Sequence, residues 1–527
     1  MNNDAIITDP TPSPQARLKR RRIPQPRAII LAGILLALAH PPASLFPLAW
    51  VALAPLLISV LEARRFREAF GRAYLFSLVF LGITCFWIGL TIVDYTHSTI
   101  GWIAWFALVP ILSLYYGVWA GLTWWLSRPF PQGTRILIAA VTWTGMEYIR
   151  TFGTLTMPWA QLSYSQFLFL PLLQMVRVTG AYGLSFLLVL LNGGVGYAWW
   201  NRDDDQRYRW VMLYGFLLVM LTFIGYTRMQ IPDPQEKIRV ASMQGNFATV
   251  SSTELDLQAL ETITRLTIEA SLPEGGHDLS VWAESAFPNG NLPQDSVWNR
   301  LFALSRLSGG AILGGSRLVD PLTRQDTNSA LLFTSDGKMA HSEKQQHVPF
   351  GEFIPYRAYW PKSVSEGFGF FPSDLARGEG ARLLNFRTQK GAEVRCGVFV
   401  CYESMYPVYA RLMTHSGANL LVTISNDRWF QGRAAMEQHL SAVVLRAVEN
   451  GRDVVRSTTS GISCLIDARG RIVKQAPMDQ PTWIEGEATL REGQTLYARL
   501  GDWFPRLCLL GWAVLFYLDL RRKGTLQ

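Results

Sequence analysis

The sequence predicts a multi-helix transmembrane bundle of about eight helices, with an α/β domain inserted between the last two. Three observations carry this reading. Only 17% of the 527 residues are charged, against roughly 25% in soluble proteins. Residues 28–228 are mostly apolar and break into runs of membrane-span length, and one more such run closes the chain near 504–520. From Lys237 the pattern changes to short β-like runs that alternate with helical ones, the mark of an α/β domain.

Composition narrows the class further. Nineteen Trp and 28 Phe are many for this length, and aromatic, charge-poor chains usually belong in membranes. The net charge of +9 does not signal nucleic acid, because the basic residues sit in short clusters beside apolar runs. Five Cys show neither disulfide-like nor metal-like spacing; Cys85 and Cys508 lie in apolar runs and read as packing residues. The seven His are scattered, so neither a metal nor a cofactor is expected.

The chain opens on a Pro- and Arg-rich stretch, 1–27, read as a basic cytoplasmic tail without fixed structure. Spans are expected near 28–40, 45–61, 73–93, 101–126, 134–150, 178–200 and 210–228. The bilayer core needs about 20 helical residues, so the first two are short, and Pro41-Pro42 between them suggests a tight hairpin. A signal peptide is the other reading of the first run, since basic residues precede it and Ala-rich sequence ends it; the spans that follow at once favour the hairpin. Gly117 and Gly121 form a GxxxG spacing, which permits close helix packing. Glu147 and Arg150 share a helix face near the end of the fifth span and read as a structural pair or the lining of a cavity. Segment 151–177, with Pro158, Trp159 and Tyr164, is apolar but interrupted, and reads as re-entrant or surface-lying.

Charge sets the orientation. Basic clusters precede the first span (Arg17, Lys19, Arg20, Arg21, Arg22) and follow the last (Arg521, Arg522, Lys523). Others fall after the second span (Arg64, Arg65, Arg67, Arg72), the fourth (Arg128, Arg135) and the sixth (Arg202, Arg207, Arg209). The intervening gaps hold almost none. By the positive-inside rule both termini are cytoplasmic. Residues 229–502 then lie outside, 503–521 form the last span and 522–527 a short cytoplasmic tail.

In the soluble half, strands are expected at 238–243, 279–283, 311–314, 330–333, 394–400, 419–424, 453–457 and 464–467. Helices are expected at 254–270, 296–307, 407–415 and 436–450, with Asp295 as N-cap of the second. Asp336-Gly337 reads as a two-residue hairpin turn. The apolar loop 367–372 is a candidate for lipid contact or simple packing.

Three polar residues interrupt apolar strand ends. Glu284 follows Leu279-Ser280-Val281-Trp282-Ala283. Lys344 precedes His347-Val348-Pro349-Phe350-Gly351-Glu352-Phe353. Cys401 ends Val398-Phe399-Val400 and begins the turn Tyr402-Glu403-Ser404. A cysteine at a strand-to-helix turn meets a helix N-terminus, whose partial positive charge favours thiolate and oxyanion. A carboxylate can take the thiol proton and a lysine can stabilise the developing oxyanion. Each residue alone is a weak signal. Cys396, five residues before Cys401, is expected by strand parity to face the other side of the sheet. No G-x-S-x-G elbow, H-E-x-x-H, P-loop or Rossmann fingerprint competes.

Read together, these residues resemble the nitrilase (carbon–nitrogen hydrolase) superfamily, with its Glu-Lys-Cys triad on an α-β-β-α sandwich. Longer stretches are similar to the apolipoprotein N-acyltransferase family. They are Lys344 with Glu352 eight residues on, Cys401-Tyr402-Glu403, Thr423-Ile424-Ser425-Asn426-Asp427 with Trp429-Phe430, and Arg456-Ser457-Thr458 with Gly461. In the membrane half, Glu147, Arg150, Pro158-Trp159 and Leu162-Ser163-Tyr164-Ser165-Gln166 carry the same likeness.

The resemblance implies a two-step acyl transfer from a phospholipid to the N-terminal amine of a diacylated apolipoprotein, the final step of lipoprotein maturation. Cys401 is the implied nucleophile, Glu284 the base and Lys344 the oxyanion stabiliser. Glu352 and Glu403 position the triad, Tyr402 lines the pocket, and Asn426 and Trp429 support the site or bind substrate. The implied setting is the bacterial inner membrane, multi-pass and monomeric, with the catalytic domain on the periplasmic side. The sequence departs from the family at 248–253, where a Trp is usual, at His347 in place of Leu, and at Arg428 and Gln431. Two other classes fit the sequence less well. A tethered amidase-like hydrolase needs only one or two spans, and a non-enzymatic membrane protein has no need of an intact triad.

Overall fold

The computed structural model describes residues 24–154, 156–247, 253–272, 276–287, 294–319, 325–361 and 374–524. The expectations for residues 1–23, 248–252 and 367–372 lie outside the described residues.

Helices occupy the expected spans, but not all have spanning length. Gly101–Ser127, Ala181–Trp200, Arg209–Met229 and Trp503–Arg522 are long and apolar enough to cross a membrane. Phe66–Thr84 and Phe86–Asp94 add a fifth if their 45° bend lies within one span. Pro26–Ala39 is short, and the expected second span divides into a 3-10 turn, Phe46–Trp50, and a helix, Ala54–Leu61. Pro47 and Pro55 lack the N–H that a continuous helix needs there. The GxxxG pair does pack closely. A Cβ on Gly117 would lie 2.7 Å from the Phe70 ring, and one on Gly121 2.3 Å from Phe66.

Glu147 and Arg150, at the end of Gln132–Ile149, do not pair with each other. Arg150 donates to the carbonyls of Trp159 (2.8 Å) and Met157 (3.3 Å), and Glu147 accepts the Leu162 N–H at 2.9 Å. Both side chains therefore hold the interrupted segment. That segment is not surface-lying: Trp159, Leu162 and Tyr164 are buried. Irregular apolar backbone is tolerated where it is buried in protein, and these two side chains satisfy part of it.

The soluble half contains twelve strands among the described residues: β1 (Lys237–Gln244), β2 (Leu279–Val281), β3 (Ala311–Val319), β4 (Asp326–Phe333), β5 (Met339–Glu343), β6 (Leu384–Arg387), β7 (Glu393–Val400), β8 (Leu420–Ser425), β9 (Val454–Thr458), β10 (Cys464–Ile466), β11 (Ile472–Gln475) and β12 (Thr482–Thr489). They form two six-stranded sheets, ordered β12-β1-β2-β3-β4-β5 and β11-β10-β9-β8-β7-β6. Each sheet has a parallel centre, β1-β2-β3 and β7-β8-β9, with antiparallel flanks.

Alternation along the strands makes the layers. Val240, Leu279, Val281 and Leu313 meet Val394, Val398, Leu420 and Val422 between the sheets. Ala241, Met243, Ile312 and Leu331 face outward onto Leu260, Ile263 and Leu301, which lie on the helices Thr253–Ser271 and Gln294–Ser308. Phe399, Leu421 and Val454 face the other way. They join one apolar cluster that continues through Val443 and Val444 into the membrane bundle. The result is an α-β-β-α sandwich whose second helical layer is packed on the membrane helices.

Two local expectations are corrected. The hairpin between β4 and β5 turns over residues 335–337, because Thr334 N–H bonds the Lys338 carbonyl and Gly337 takes φ +83°; the glycine suits this longer loop as well as a two-residue one. Asp295 is not an N-cap but sits inside the first turn of Gln294–Ser308, where a carboxylate still favours the helix dipole.

Candidate active site

Glu284 lies just past the end of β2, where Ser285 takes φ +58° and turns the chain. Strand β3 passes directly against this turn. A Cβ on Gly315 would sit 2.7 Å from the Glu284 Cα, so only glycine fits. Lys344 follows β5, its N–H bonded to the Asn328 carbonyl at 2.7 Å. Its ammonium, 1% exposed, lies 2.8 Å from Glu352 Oε1 and 3.3 Å from Glu284 Oε1. Burial opposes that charge, but Glu284 and Glu352 together hold the Lys344 pKa above its ordinary value. The lysine is therefore a fixed cation.

Two carboxylates share one ammonium, so other donors must complete their solvation. Asn328 Nδ2 reaches Glu284 Oε1 (2.7 Å) and Glu352 Oε1 (2.9 Å). The Asn426 N–H donates to Glu284 Oε2 and the Val348 N–H to Glu352 Oε2, both at 2.8 Å. Glu352 is buried, yet Lys344 and His347 beside it keep its pKa below the ordinary value. Glu284 thus links the two sheets, bonded to β4 on one side and to the end of β8 on the other.

Cys401 closes β7 in a left-handed conformation, φ +50°, which is uncommon outside glycine. This reverses the parity argument. Cys396 and Cys401 both pack in the space between the sheets, because the turn at residue 401 swings its side chain to the face used by the even-numbered residues of β7. The helix after the nucleophile begins at Pro407, as expected, and a further turn, the 3-10 turn Cys401–Met405, separates it from the thiol. Burial pushes the Cys401 thiol above its ordinary value, Glu284 adds to this, and Lys344 opposes it. This environment favours the thiol over a preformed thiolate. Alkylation of Cys401 by a small reagent should therefore keep rising with pH well beyond about 8.5, where an exposed cysteine is already half ionised. A plateau by neutral pH, read by peptide mass mapping, contradicts this environment.

The supporting residues fall around this core. Glu403 accepts N–H bonds from Gln345 (2.6 Å), Gln346 (3.1 Å) and Val400 (2.7 Å), tying the segment after Lys344 to the strand before Cys401. Burial nevertheless lifts its carboxyl to about 7. Tyr402 points towards the bundle: its hydroxyl donates to the Thr156 carbonyl at 2.8 Å and its ring stacks 6.4 Å from Trp159. Asn426 Oδ1 accepts the Arg428 N–H at 3.3 Å. Trp429 lies half-buried in the 3-10 turn Asp427–Trp429.

Two residues that support the site or its junction with the bundle were not expected from the sequence. Asn328 gave one usable signal, since Asn is depleted in strands and this one is buried in β4. Gln438 gave none. Its Nε2 donates to the carbonyls of Pro41 and Thr84, both at 3.0 Å, and its Oε1 accepts from Trp159 (2.5 Å) and Trp87 (3.2 Å). The helix break after Thr84 loosens a membrane helix, and Gln438 of the soluble half takes up the Thr84 carbonyl. Tyr164 adds a bond from the interrupted segment to the Met405 carbonyl, 2.9 Å.

Residues 32–194 match the family model described as apolipoprotein N-acyltransferase N-terminal domain, and residues 239–496 match carbon-nitrogen hydrolase. The apolipoprotein N-acyltransferase of Geobacter metallireducens is 34% identical over 94% of this chain and 95% of its own. The chain belongs to the apolipoprotein N-acyltransferase family. The Chlorobaculum tepidum member is 27% identical over 91% of this chain and 93% of its own. Among solved structures, Saccharomyces cerevisiae Nit3 of the nitrilase superfamily is similar to 48% of this chain and 90% of its own, with 22% identity and a TM-score of 0.37. Apolipoprotein N-acyltransferases are enzymes, and membership with these apolar helices makes this chain a membrane acyltransferase whose carbon–nitrogen hydrolase domain supports transfer through a nucleophilic cysteine.

Proposed function

We propose that the chain moves an acyl chain from a phospholipid to the N-terminal amine of a diacylglyceryl-cysteine lipoprotein through a thioester on Cys401. The observation that carries this is the position of the cluster: Lys344 is paired with Glu284 at 3.3 Å, Glu403 ties the residue after Lys344 to the residue before Cys401, and the turn that Cys401 opens is bonded through Tyr402 and Met405 to the membrane half. A site built against a membrane bundle suits two lipid substrates.

In the first step Glu284 takes the thiol proton and the sulfur adds to the ester carbonyl carbon. Lys344 faces the oxyanion that forms. Collapse breaks the ester C–O bond, and the lysophospholipid alkoxide takes the proton from Glu284. In the second step the lipoprotein amine adds to the thioester and gives its proton to Glu284. The amide C–N bond remains, the C–S bond breaks and the thiol is restored. Thiolate is a better leaving group than alkoxide, so the intermediate is suited to an amine acceptor. Glu352, Glu403 and Asn426 hold the three groups in register, while Tyr402 and Trp429 shape the surrounding wall.

The membrane domain in this reading is residues 28–228 with 503–521, the catalytic domain is 229–502, and the chain acts as a monomer in the inner membrane with the catalytic domain periplasmic. A reporter fused after Pro232 should read extracytoplasmic; a cytoplasmic signal overturns the orientation. For the reaction itself, purified protein in detergent is incubated with phospholipid and a diacylglyceryl-cysteine peptide. The expected product is the peptide heavier by one acyl chain in a hydroxylamine-stable amide. Release of free fatty acid with the peptide unchanged marks a hydrolase instead.

A further inference from the structure

The motif residues Asp427, Arg456 and Gly461 have no part in the steps above, yet they converge beneath the nucleophile. The Cys401 carbonyl accepts from Ser404 Oγ at 2.7 Å and lies 3.0 Å from His439 Nε2. His439 Nδ1 lies 3.2 Å from an Arg456 guanidinium nitrogen. Asp427 Oδ1 also lies near Nδ1, at 3.4 Å, but the arginine contact is the shorter of the two; because arginine can only donate, Nδ1 accepts. The imidazole proton is then on Nε2, which faces both the Cys401 carbonyl and Ser404 Oγ; the Ser404 proton goes to the same carbonyl, so its oxygen is free to accept from Nε2 as well. Arg456 is in turn fixed by Asp427 Oδ2 at 2.7 Å and by the Ile462 carbonyl at 3.0 Å, and Asp427 Oδ1 accepts from Ser425 at 2.6 Å. His439, Asp427 and Arg456 are fully buried. A Cβ on Gly461 would come within 2.4 Å of Asp427 Oδ2, so glycine there leaves room for the aspartate.

We propose that His439 is a positioning residue, held in one tautomer by Arg456 and Asp427, that clamps the Cys401 carbonyl and so keeps the nucleophile in its left-handed conformation. The left-handed turn puts the sulfur between the sheets, and a non-glycine residue keeps such a backbone only when its surroundings enforce it. Two donors on one buried carbonyl supply that enforcement. Burial and the Arg456 charge both hold the imidazole below its usual pKa, against the pull of Asp427, which keeps it a neutral donor. His439 addresses the carbonyl rather than the thiol, on the side of the sheet shared with Trp159 and Phe430. It is therefore not a second base.

The inference rests on Cys401 being the nucleophile, and its test separates the two. The rate of hydroxylamine-sensitive acyl-enzyme formation is measured by intact mass on full-length protein in detergent, over a range of phospholipid concentrations and pH. His439→Gln keeps an N–H donor and should form acyl-enzyme within about 10-fold of the natural rate, with the same pH profile. His439→Phe keeps the ring without the donor and should be slower by about 100-fold, the order expected for a misplaced reacting group, at unchanged KM. A natural rate in His439→Phe overturns the clamp, as does a Gln variant as slow as Phe or one with a shifted pH profile. If His439→Phe does not fold, Ser404→Ala decides: slower acylation at unchanged KM supports the clamp and a natural rate overturns it. Absence of acyl-enzyme in the unaltered protein, with Cys401→Ala as control, sinks the nucleophile itself and the clamp with it.

Discussion

Replacing Cys401 with serine should lower acyl transfer by about 10,000-fold or more, the scale seen when a covalent nucleophile is removed. Serine is close to isosteric, and the backbone at residue 401 is held through its carbonyl by Ser404 and His439, so the variant should fold. The loss arises from chemistry. The thiol is already held above its ordinary pKa by burial and by Glu284, and a hydroxyl in that place is a far weaker acid for the same carboxylate. A thermal melt in detergent should match the natural protein while the transfer assay falls to background. Transfer at the natural rate would mean that another group forms the intermediate.

The second large effect is expected at Lys344. Changing it to methionine leaves the Glu284 and Glu352 carboxylates converging on one Asn328 amide without a cation. Breaking a buried ion pair by removing one partner costs about 3–5 kcal/mol, so the thermal transition should fall markedly. Loss of a charge aimed at an oxyanion should also slow acylation by about 100-fold to 1,000-fold in whatever protein remains folded. The pH signs follow. The natural ammonium has a raised pKa, so the stability it contributes is complete at neutral pH and is lost only in strongly alkaline solution. In the variant the uncompensated carboxylates favour their protonated forms, and the stability deficit should shrink as pH falls from 7 towards 5. A deficit that does not vary across that range would show that Lys344 is not the partner of these carboxylates.

What the sequence revealed and what it concealed divide along physical lines. The eight expected strands all exist, and the four that were not expected, β5, β6, β11 and β12, are the four sheet edges. β11 is short and exposed at Val473, Lys474 and Gln475, which is how proteins discourage further pairing; β6 alternates but over only four residues, and β12 is eight residues long but mostly half-buried, with little contrast between its faces. Glu284, Lys344 and Cys401 were legible because each is a charged or reactive residue at the end of an apolar run, whereas Glu352 and Glu403 were legible only through the family resemblance. Asn328, Gln438 and His439 were not, since each works through a contact that no local pattern encodes. Gln438 joins the soluble half to Pro41 and Thr84, more than 300 residues away in sequence. The parity of Cys396 and Cys401 failed at one residue, the left-handed Cys401, and that departure is what aims the sulfur. Glu147 and Arg150 looked like a pair by spacing, but the interrupted segment offered each of them bare backbone groups, which a buried ion binds readily.

The most direct test of the account is the intact mass of the purified protein after incubation with phospholipid alone. A gain of one acyl chain is expected, removed by hydroxylamine, mapped to Cys401 and absent from Cys401→Ala. A folded protein whose adduct maps to another residue, or survives hydroxylamine, contradicts a thioester on Cys401.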